Sequence, residues 1–235
     1  MKLSQLAFAC YLYAASSGFD KSYIDFLKAT DYQPDLKIYE HRNALLIWLN
    51  SWGCRQFAIE YHEKASQEIL SWYTKHSADL PGPSRNLWEL TESEFASVGL
   101  AYESLSKRTA SIRTKKNSTY SISIGPTGAS KILFAIRPKA LVPWDASIRQ
   151  HHNHGNDLKS YIAYLQLVKR MLEILKTQCQ KHGLQLVDLP KIFDRPFSSI
   201  PKLIDEYYWV TITNNWTAPS SETLLLWAKW DRVNL

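Results

Sequence analysis

The stretch VPWDASIR, residues 142–149, places one carboxylate where a new helix is predicted to begin. Asp145 follows an apolar run that ends in Trp144 and precedes ASIR, so its side chain can accept a hydrogen bond from a backbone N–H of that helix. A carboxylate in this position can also stabilise a developing cation or activate a water molecule. Capping and catalysis are compatible, and the residues alone leave both roles open.

A second candidate is IGPTGASKILFAI, residues 124–136, in which two glycines three residues apart precede a predicted helix. Glycines let a ligand approach the backbone closely, and free N–H groups at a helix start can hold a phosphate. The alternative is a turn that only joins two elements. The residues predicted here to contact a phosphate backbone are Gly125, Thr127, Gly128, Ser130 and Lys131.

Positive charge is concentrated around these glycines. The chain has a net charge of +6, and between Ser104 and Trp144 there are eight Lys and Arg residues and no Asp or Glu. Such a segment favours an anionic partner such as a nucleic acid. The further cations predicted to contact DNA are Arg113, Lys115 and Lys116, in a stretch expected to be an exposed loop or a short extended piece, and Arg149 beyond Asp145.

Metal ligands are sparse in the sequence. The cysteines Cys10, Cys54 and Cys179 are far apart and form no CxxC pair, which is typical of reduced core thiols in an intracellular protein. His151 and His154 stand at a helical i, i+3 spacing but have no third ligand nearby in sequence. We therefore expect no metal and no cofactor, and keep a metal-dependent nuclease that uses the two histidines as an alternative.

The elements that must position these residues are predominantly helical. Apolar residues recur at helical spacing, and Thr91 with Glu94 forms a capping box. Short strand signals occur only at SISI and WVTIT, so the sequence predicts an all-α fold. Helices are expected over residues 3–15, 20–29, 37–51, 55–76, 91–108, 129–136, 157–182, 200–213 and 221–230, with another beginning after Asp145.

The N-terminal stretch MKLSQLAFACYLYAASS has the lysine, apolar run and small residues of a secretory signal, but Ser4 and Gln5 interrupt the run. No apolar stretch approaches the roughly 20 residues that span a bilayer. We therefore expect a soluble, cytoplasmic protein with no membrane partner.

The order IGPTGASKILFAI…RPKALVPWDASIR resembles the signature of the helix-hairpin-helix DNA glycosylase superfamily. In that family a hairpin of the form LPGxG leads into a helix, and the catalytic aspartate begins another helix after a short apolar loop. By this resemblance Gly125, Pro126 and Gly128 fall on the hairpin and Asp145 on the catalytic carboxylate. Ser130 stands where bifunctional members have a Schiff-base lysine, so the resemblance implies a monofunctional enzyme.

The resemblance also implies a fold, a reaction and a partner. The fold would have two helical lobes with a cleft between them: residues 1–36 would pack with the C-terminal lobe, residues 37–140 would form the lobe with the basic hairpin, and residues 141–235 the lobe that begins near Asp145. A monomer would flip a base out of double-stranded DNA and hydrolyse its N-glycosidic bond, leaving an abasic site.

The chain length and the divergent hairpin are most similar to anti-phage members of this superfamily, which excise glucosylated hydroxymethylcytosine from modified phage DNA. A pocket for that base needs aromatic faces and polar groups, and the residues predicted to form it are Trp144, Asn50, Trp52, Arg55 and Gln56. The alternative for LNSWGCRQF is that Trp52 is a core residue and Gly53 a helix C-cap. A repair glycosylase for damaged bases and a non-catalytic DNA-binding module, in which Asp145 only caps, also stay open.

Overall fold

The computed structural model describes residues 1–115, 118–217 and 219–228. Lys116, one of the predicted DNA contacts, lies outside the described residues. The described chain is predominantly helical, and its only sheet within these ranges has two strands, so the predicted all-α class is confirmed. No helix in the described ranges combines the length and apolarity that a membrane span requires.

The α-helices are α1 Leu3–Ser16, α2 Phe19–Ala29, α3 Tyr39–Ser51, α4 His62–His76, α5 Glu92–Ser106, α6 Gly125–Ile136, α7 Ala146–His151, α8 Leu158–Lys181, α9 Leu189–Ile192, α10 Ile200–Tyr208 and α11 Ser221–Ala228. The 3₁₀ turns are Ile59–Tyr61, Ser77–Asp79, Leu87–Glu89 and Leu186–Asp188, and a π-helical segment, Trp209–Thr213, continues α10. The strands are β1 Thr109–Lys115 and β2 Ser118–Ser123.

Side-chain caps explain where several helices begin. The Thr91 hydroxyl accepts a hydrogen bond from the Glu94 N–H, and the Glu94 carboxylate accepts one from the Thr91 N–H at 2.8 Å, which confirms the capping box at α5. Asp157 caps α8 by accepting from the Ser160 N–H at 2.9 Å. Ser199 caps α10 in the same way. These caps satisfy backbone donors that the first turn of a helix leaves unpaired.

The structure differs from the predicted elements in three places. The stretch expected to be an exposed loop or a short extended piece is an antiparallel ribbon in which Arg113 lies opposite Tyr120. Its base is held by Ala110 and Ser111, which are buried where β1 packs on α4. The strand signal at WVTIT is wrong, because these residues continue the helix predicted over residues 200–213 as a π-helical segment, in which Val210 is buried with Ala9 and Tyr13 of α1. The helix expected from residue 55 begins at residue 62, after a 3₁₀ turn.

One hydrophobic cluster runs from Leu6 to Tyr208 and includes residues of all the helices from α1 to α10. Helix α6 lies within it, and every residue from Ile132 to Ile136 is buried. Helix α5 packs on both α6 and α8, while α1 packs on α10. The two lobes with boundaries at residues 36 and 140, and the cleft between them, stay predictions.

Candidate active site

A cavity of about 310 Å³ lies at the start of α7 and is lined by residues from five helices and their flanking segments. It contains two carboxylates, one ammonium group and several aromatic rings. Its volume is at the lower end of the roughly 300–1,000 Å³ that small-molecule pockets have. The lining residues are Tyr13, Phe19, Trp52, Gly53, Thr127, Lys131, Trp144, Asp145, Ala146, Asp205 and Trp209.

Asp145 lies in the cavity wall and is the N-cap of α7. Its Oδ1 accepts a hydrogen bond from the Ile148 N–H at 2.8 Å, and its Oδ2 accepts one from the Thr213 hydroxyl at 3.0 Å. No Lys or Arg of the described chain forms a salt bridge with it within 4 Å. Two neutral donors therefore fix the orientation of a partly exposed carboxylate whose remaining lone pairs are open to the cavity.

The segment before Asp145 is held by buried polar contacts. The Trp144 N–H donates to the Ser130 hydroxyl at 3.2 Å, and that hydroxyl donates to the Thr127 carbonyl at 3.0 Å. The Trp144 ring is fully buried and stacks on Tyr164 of α8 at 5.2 Å between centroids. The apolar run that ends in Trp144 therefore anchors Asp145 between α6 and α8.

Asp205, on α10, is the second carboxylate of the cavity. Its side chain is 14% exposed, and its nearest cation is the Lys202 ammonium at 3.9 Å. Burial raises the pKa of its carboxyl to about 7; the negative charges of Asp145 and Glu206 add to this, while Lys202 and Lys131 oppose it. At neutral pH both the protonated and the ionised forms of Asp205 are therefore populated.

Asp205 lies beside a buried network of charged side chains. Lys202 and Glu206 are both fully buried, and the Lys202 ammonium donates to Glu206 Oε1 at 3.1 Å. Burial by itself would lower the pKa of Lys202, but the surrounding acidic groups, of which Glu206 contributes most, together outweigh it and hold the pKa above its ordinary value. The Lys202 ammonium also lies 4.1 Å from the centroid of the Tyr13 ring. Arg195 completes the network by pairing with Glu206 at 2.8 Å and with Asp20.

Aromatic rings form much of the remaining wall. Trp52 donates through its indole N–H to the Phe19 carbonyl at 3.1 Å, and the two rings meet edge to face at 6.3 Å. Trp209 of the π-helical segment contacts Phe19 at 6.0 Å and Tyr13 at 5.2 Å. The Lys131 ammonium donates to the Trp52 carbonyl at 2.6 Å. A flat or ring-shaped ligand can stack on such walls.

Two of the five residues predicted to form a base pocket line this cavity, namely Trp52 and Trp144. The other three do not. The Asn50 amide pairs with the His62 ring at 3.0 Å, and the Gln56 amide donates to the Ile124 carbonyl at 2.7 Å. Arg55 is exposed outside the cavity. Trp52 is 7% exposed, as expected for a core residue, and Gly53 follows the end of α3 with a φ of +78°; the role of Trp52 in a base pocket stays a prediction.

The predicted phosphate-binding glycines have different roles in the structure. Gly125 begins α6 with a φ of +68°, a conformation that favours glycine. Gly128 is buried, and a Cβ placed there would lie 2.7 Å from Gln56 Nε2 and 3.0 Å from Ile124 Cγ2. The prediction that Gly128 contacts a phosphate is therefore wrong, and its lack of a side chain serves close packing instead. Strand β2, rather than a helix, precedes Gly125.

Of four other predicted DNA contacts, two are buried in the structure and two are exposed. Ser130 is fully buried, so its hydroxyl holds the segment before Asp145 and is corrected from a DNA contact to a structural group. Arg149 is 9% exposed, donates to the Thr127 hydroxyl at 3.0 Å and lies over the Trp144 ring, so it braces the cavity wall. Arg113 and Lys115 are exposed on β1, where they are accessible to a large polyanion.

His151 and His154, near the end of α7, are the pair that the sequence offered as metal ligands. Among the described residues no group of three or more His, Cys, Asp or Glu is placed to hold a metal ion. His152, between the two predicted histidines, packs edge to face on Tyr208 at 5.3 Å. The alternative of a nuclease that uses His151 and His154 therefore gains no support.

The sequence analysis missed four residues that line the cavity, namely Tyr13, Phe19, Asp205 and Trp209, and also Thr213, which donates to Asp145. All of them are far from residues 124–149 in sequence, and the fold brings them together through α1, α2 and α10. One signal was available: Lys202 and Glu206 lie at i, i+4 among the apolar residues of a short helix, which indicates a buried ion pair.

Comparisons of this chain with protein-family models, with curated proteins and with solved structures find no match.

Proposed function

We propose that the protein is a monofunctional DNA glycosylase in which Asp145 is the catalytic carboxylate. The main support is that Asp145, oriented by Ile148 and Thr213, lies in the wall of a cavity with aromatic faces. An enzyme that acts on a base in duplex DNA must flip that nucleotide into a pocket and hold the base between aromatic or apolar side chains. The cavity has the chemical character and the volume for such a base.

The proposed reaction needs no metal and no cofactor. Cleavage of an N-glycosidic bond gives the sugar oxocarbenium character, as in glycoside hydrolysis. The Asp145 carboxylate stabilises that positive charge and accepts a proton from the water that attacks C1′. Its fixed orientation keeps the reorganisation needed during the reaction small.

Binding of double-stranded DNA is proposed to involve the basic ribbon of β1 and β2. Arg113 and Lys115 are exposed there, and Tyr120 lies opposite Arg113 with 41% of its surface exposed. Gly125 follows directly, at the start of α6. Phosphate contacts release counterions, so the affinity for DNA should fall steeply as salt is raised.

The proposed substrate is a bulky modified base, in line with the resemblance to anti-phage enzymes that excise glucosylated hydroxymethylcytosine. The rings of Phe19, Trp52 and Trp209 offer faces for a sugar as well as a base, and Thr127 and Lys131 add polar groups. A cytoplasmic monomer with this activity would leave abasic sites in invading phage DNA. A repair glycosylase that acts on damaged bases is the closest variant of this proposal.

The test compares the wild-type protein with Asp145→Asn and Asp157→Asn. Asp157 is the matched control because it caps α8 with the same geometry and does not line the cavity. Asparagine is also a good N-cap, so both variants should keep their helices. Each protein is incubated, in chelator, with unmodified, hydroxymethylated and glucosylated phage DNA and with DNA containing damaged bases, and abasic sites are scored as alkali-dependent strand breaks.

Breaks in glucosylated DNA that Asp145→Asn loses and Asp157→Asn retains are the expected result. Breaks in damaged DNA alone keep the chemistry and assign the protein to repair. The second candidate function, a DNA-binding module without catalysis, has the capping bond of Asp145 in its favour. It is the conclusion if no DNA is broken and both variants bind DNA like the wild type.

A further inference from the structure

We infer that Asp205 is a second catalytic residue, a general acid that protonates the leaving base inside the cavity it shares with Asp145. This inference rests on the glycosylase reaction proposed above and adds a role that the reaction needs. Breaking the C1′–N bond leaves an electron pair on the base, and a neutral pyrimidine is a poor leaving group until it gains a proton. Asp145, which faces the cationic sugar, must stay ionised and cannot supply that proton.

The two carboxylates of the cavity are held in different ways. Both oxygens of Asp145 accept hydrogen bonds from the protein. The Asp205 side chain has no hydrogen-bond partner among the described residues, and its contact with the Lys202 ammonium, at 3.9 Å, is longer than a hydrogen bond. Its side chain keeps 14% of its surface exposed, and it lines the cavity. The carboxyl of Asp205 is therefore open to a ligand in the cavity.

The charges around Asp205 come from four helices and have mixed signs. Lys202 and Glu206 lie on its own helix, Lys131 faces it from α6, Asp145 from the start of α7, and the Tyr13 phenol from α1. Lys202 is already paired with Glu206, and Lys131 donates to a backbone carbonyl. Burial therefore dominates, and the resulting pKa of about 7 leaves a substantial fraction of Asp205 protonated at neutral pH.

The proposed step balances protons and electrons. The O–H proton of Asp205 moves to a ring nitrogen or carbonyl oxygen of the base while the C1′–N bond breaks, and the electron pair of that bond stays with the base. Water then adds to C1′ and gives one proton to Asp145. Solvent returns a proton to Asp205 and removes one from Asp145 once the products leave. Asp205 acts on the base and Asp145 on the sugar, as the two carboxyl groups do in glycoside hydrolysis.

The test uses whichever DNA the wild-type protein cuts in the assay above, with Asp205→Asn and the control Asp25→Asn. Asp25 is 55% exposed on α2 and does not line the cavity. Single-turnover rates are measured from pH 5 to 9. The wild-type rate should decline above pH 7 as the acid ionises. Asp205→Asn should be slower by about 10²–10⁴-fold at pH 6.5 and should lose that decline, while Asp25→Asn should behave like the wild type.

Binding to DNA that contains a reduced abasic analogue separates catalysis from folding, because this ligand has no base to protonate. Asp205→Asn should bind it as the wild type does. If Asp205→Asn does not fold, Asp205→Glu replaces it and should keep the decline at high pH, since it keeps an acid. A rate for Asp205→Asn within twofold of the wild type, or a Glu variant without the decline, would overturn the inference and leave the role of Asp145 standing. If the wild type cuts no DNA, the proposed function itself fails and this inference with it.

Discussion

Replacing Asp205 by Asn should make the protein more stable, and the gain should grow with pH. The pKa of the Asp205 carboxyl is about 7 in the folded chain, against 3.8 for an ordinary aspartate. The folded protein therefore holds this proton up to about pH 7, whereas the unfolded chain releases it near pH 4. Because the folded state binds more protons between these values, the wild-type protein loses stability as the pH rises from about 4 to 7 and then levels off.

The size of the effect follows from the same shift. One pKa unit corresponds to 1.36 kcal/mol, so burying the ionised Asp205 costs roughly 4 kcal/mol above pH 7. Asparagine does not titrate and is similar in size to a protonated aspartate. Asp205→Asn should therefore match the wild type near pH 4 and exceed its free energy of unfolding by roughly 4 kcal/mol at pH 8.5.

Urea denaturation followed by circular dichroism at pH 4.5, 6, 7 and 8.5 measures this difference. Asp25→Asn, at an exposed position, should give a constant difference across the same range. An Asp205→Asn curve parallel to that of the wild type at every pH would refute the assignment of an elevated pKa to Asp205. It would also remove the electrostatic support for its role as an acid, without any measurement of activity.

Three further substitutions test other parts of the site. Lys202→Met should lower the free energy of unfolding, measured by urea denaturation, by about 3–5 kcal/mol, because it leaves the buried Glu206 carboxylate without its ammonium partner. The control Lys21→Met, on the surface, should lower it by less than about 0.5 kcal/mol. Equal losses for the two variants would contradict the buried ion pair. Gly128→Ala should cost about 1–3 kcal/mol because its Cβ meets a side-chain amide at 2.7 Å. Gly18→Ala, with nothing within 4 Å of its Cβ, is the control and should lower the melting temperature less than Gly128→Ala does. Thr213→Val should lower kcat about 10–100-fold with unchanged DNA affinity, because it removes the hydroxyl that holds one oxygen of Asp145. A change in DNA affinity alone would argue against a role of Thr213 in orienting Asp145.

The fold class and most helices could be predicted from local signals. Helix α8, for example, shows its apolar face in the sequence and begins where the helix over residues 157–182 was predicted to begin. Only part of the ribbon of β1 and β2 could be predicted, because SISI overlaps the end of β2 and gives a strand signal, whereas the residues of β1 give none. The helix predicted over residues 200–213 includes WVTIT, but the β-branched residues there also favour a strand locally, and packing of Val210 on α1 overrides that preference.

Only part of the candidate site could be predicted from the sequence. Asp145, Trp144 and Lys131 belong to one continuous stretch, so a motif could reveal them. Asp205 and Trp209 belong to a helix about 60 residues later, and nothing local shows that this helix faces the start of α7. The wrong prediction that Gln56 lines the pocket has a similar origin. Gln56 lies four residues after Trp52 in sequence, but its amide donates to the Ile124 carbonyl and packs against Gly128. Long-range contacts, rather than composition, decide such placements.

The polar groups of α10 show why Asp205 is better explained by chemistry than by stability. The Glu206 carboxylate accepts hydrogen bonds from Arg195, Ser198 and Lys202, and this network satisfies the buried Lys202 as well. Asp205 is the charged group of this helix that has no hydrogen bond from the described chain, and it is the one that faces the cavity. A carboxyl that served only the fold would gain stability from a donor or from replacement by an apolar residue. A carboxyl that must exchange a proton with a bound base needs its oxygens free, and the cost of burying it is then the source of the pKa on which the reaction depends.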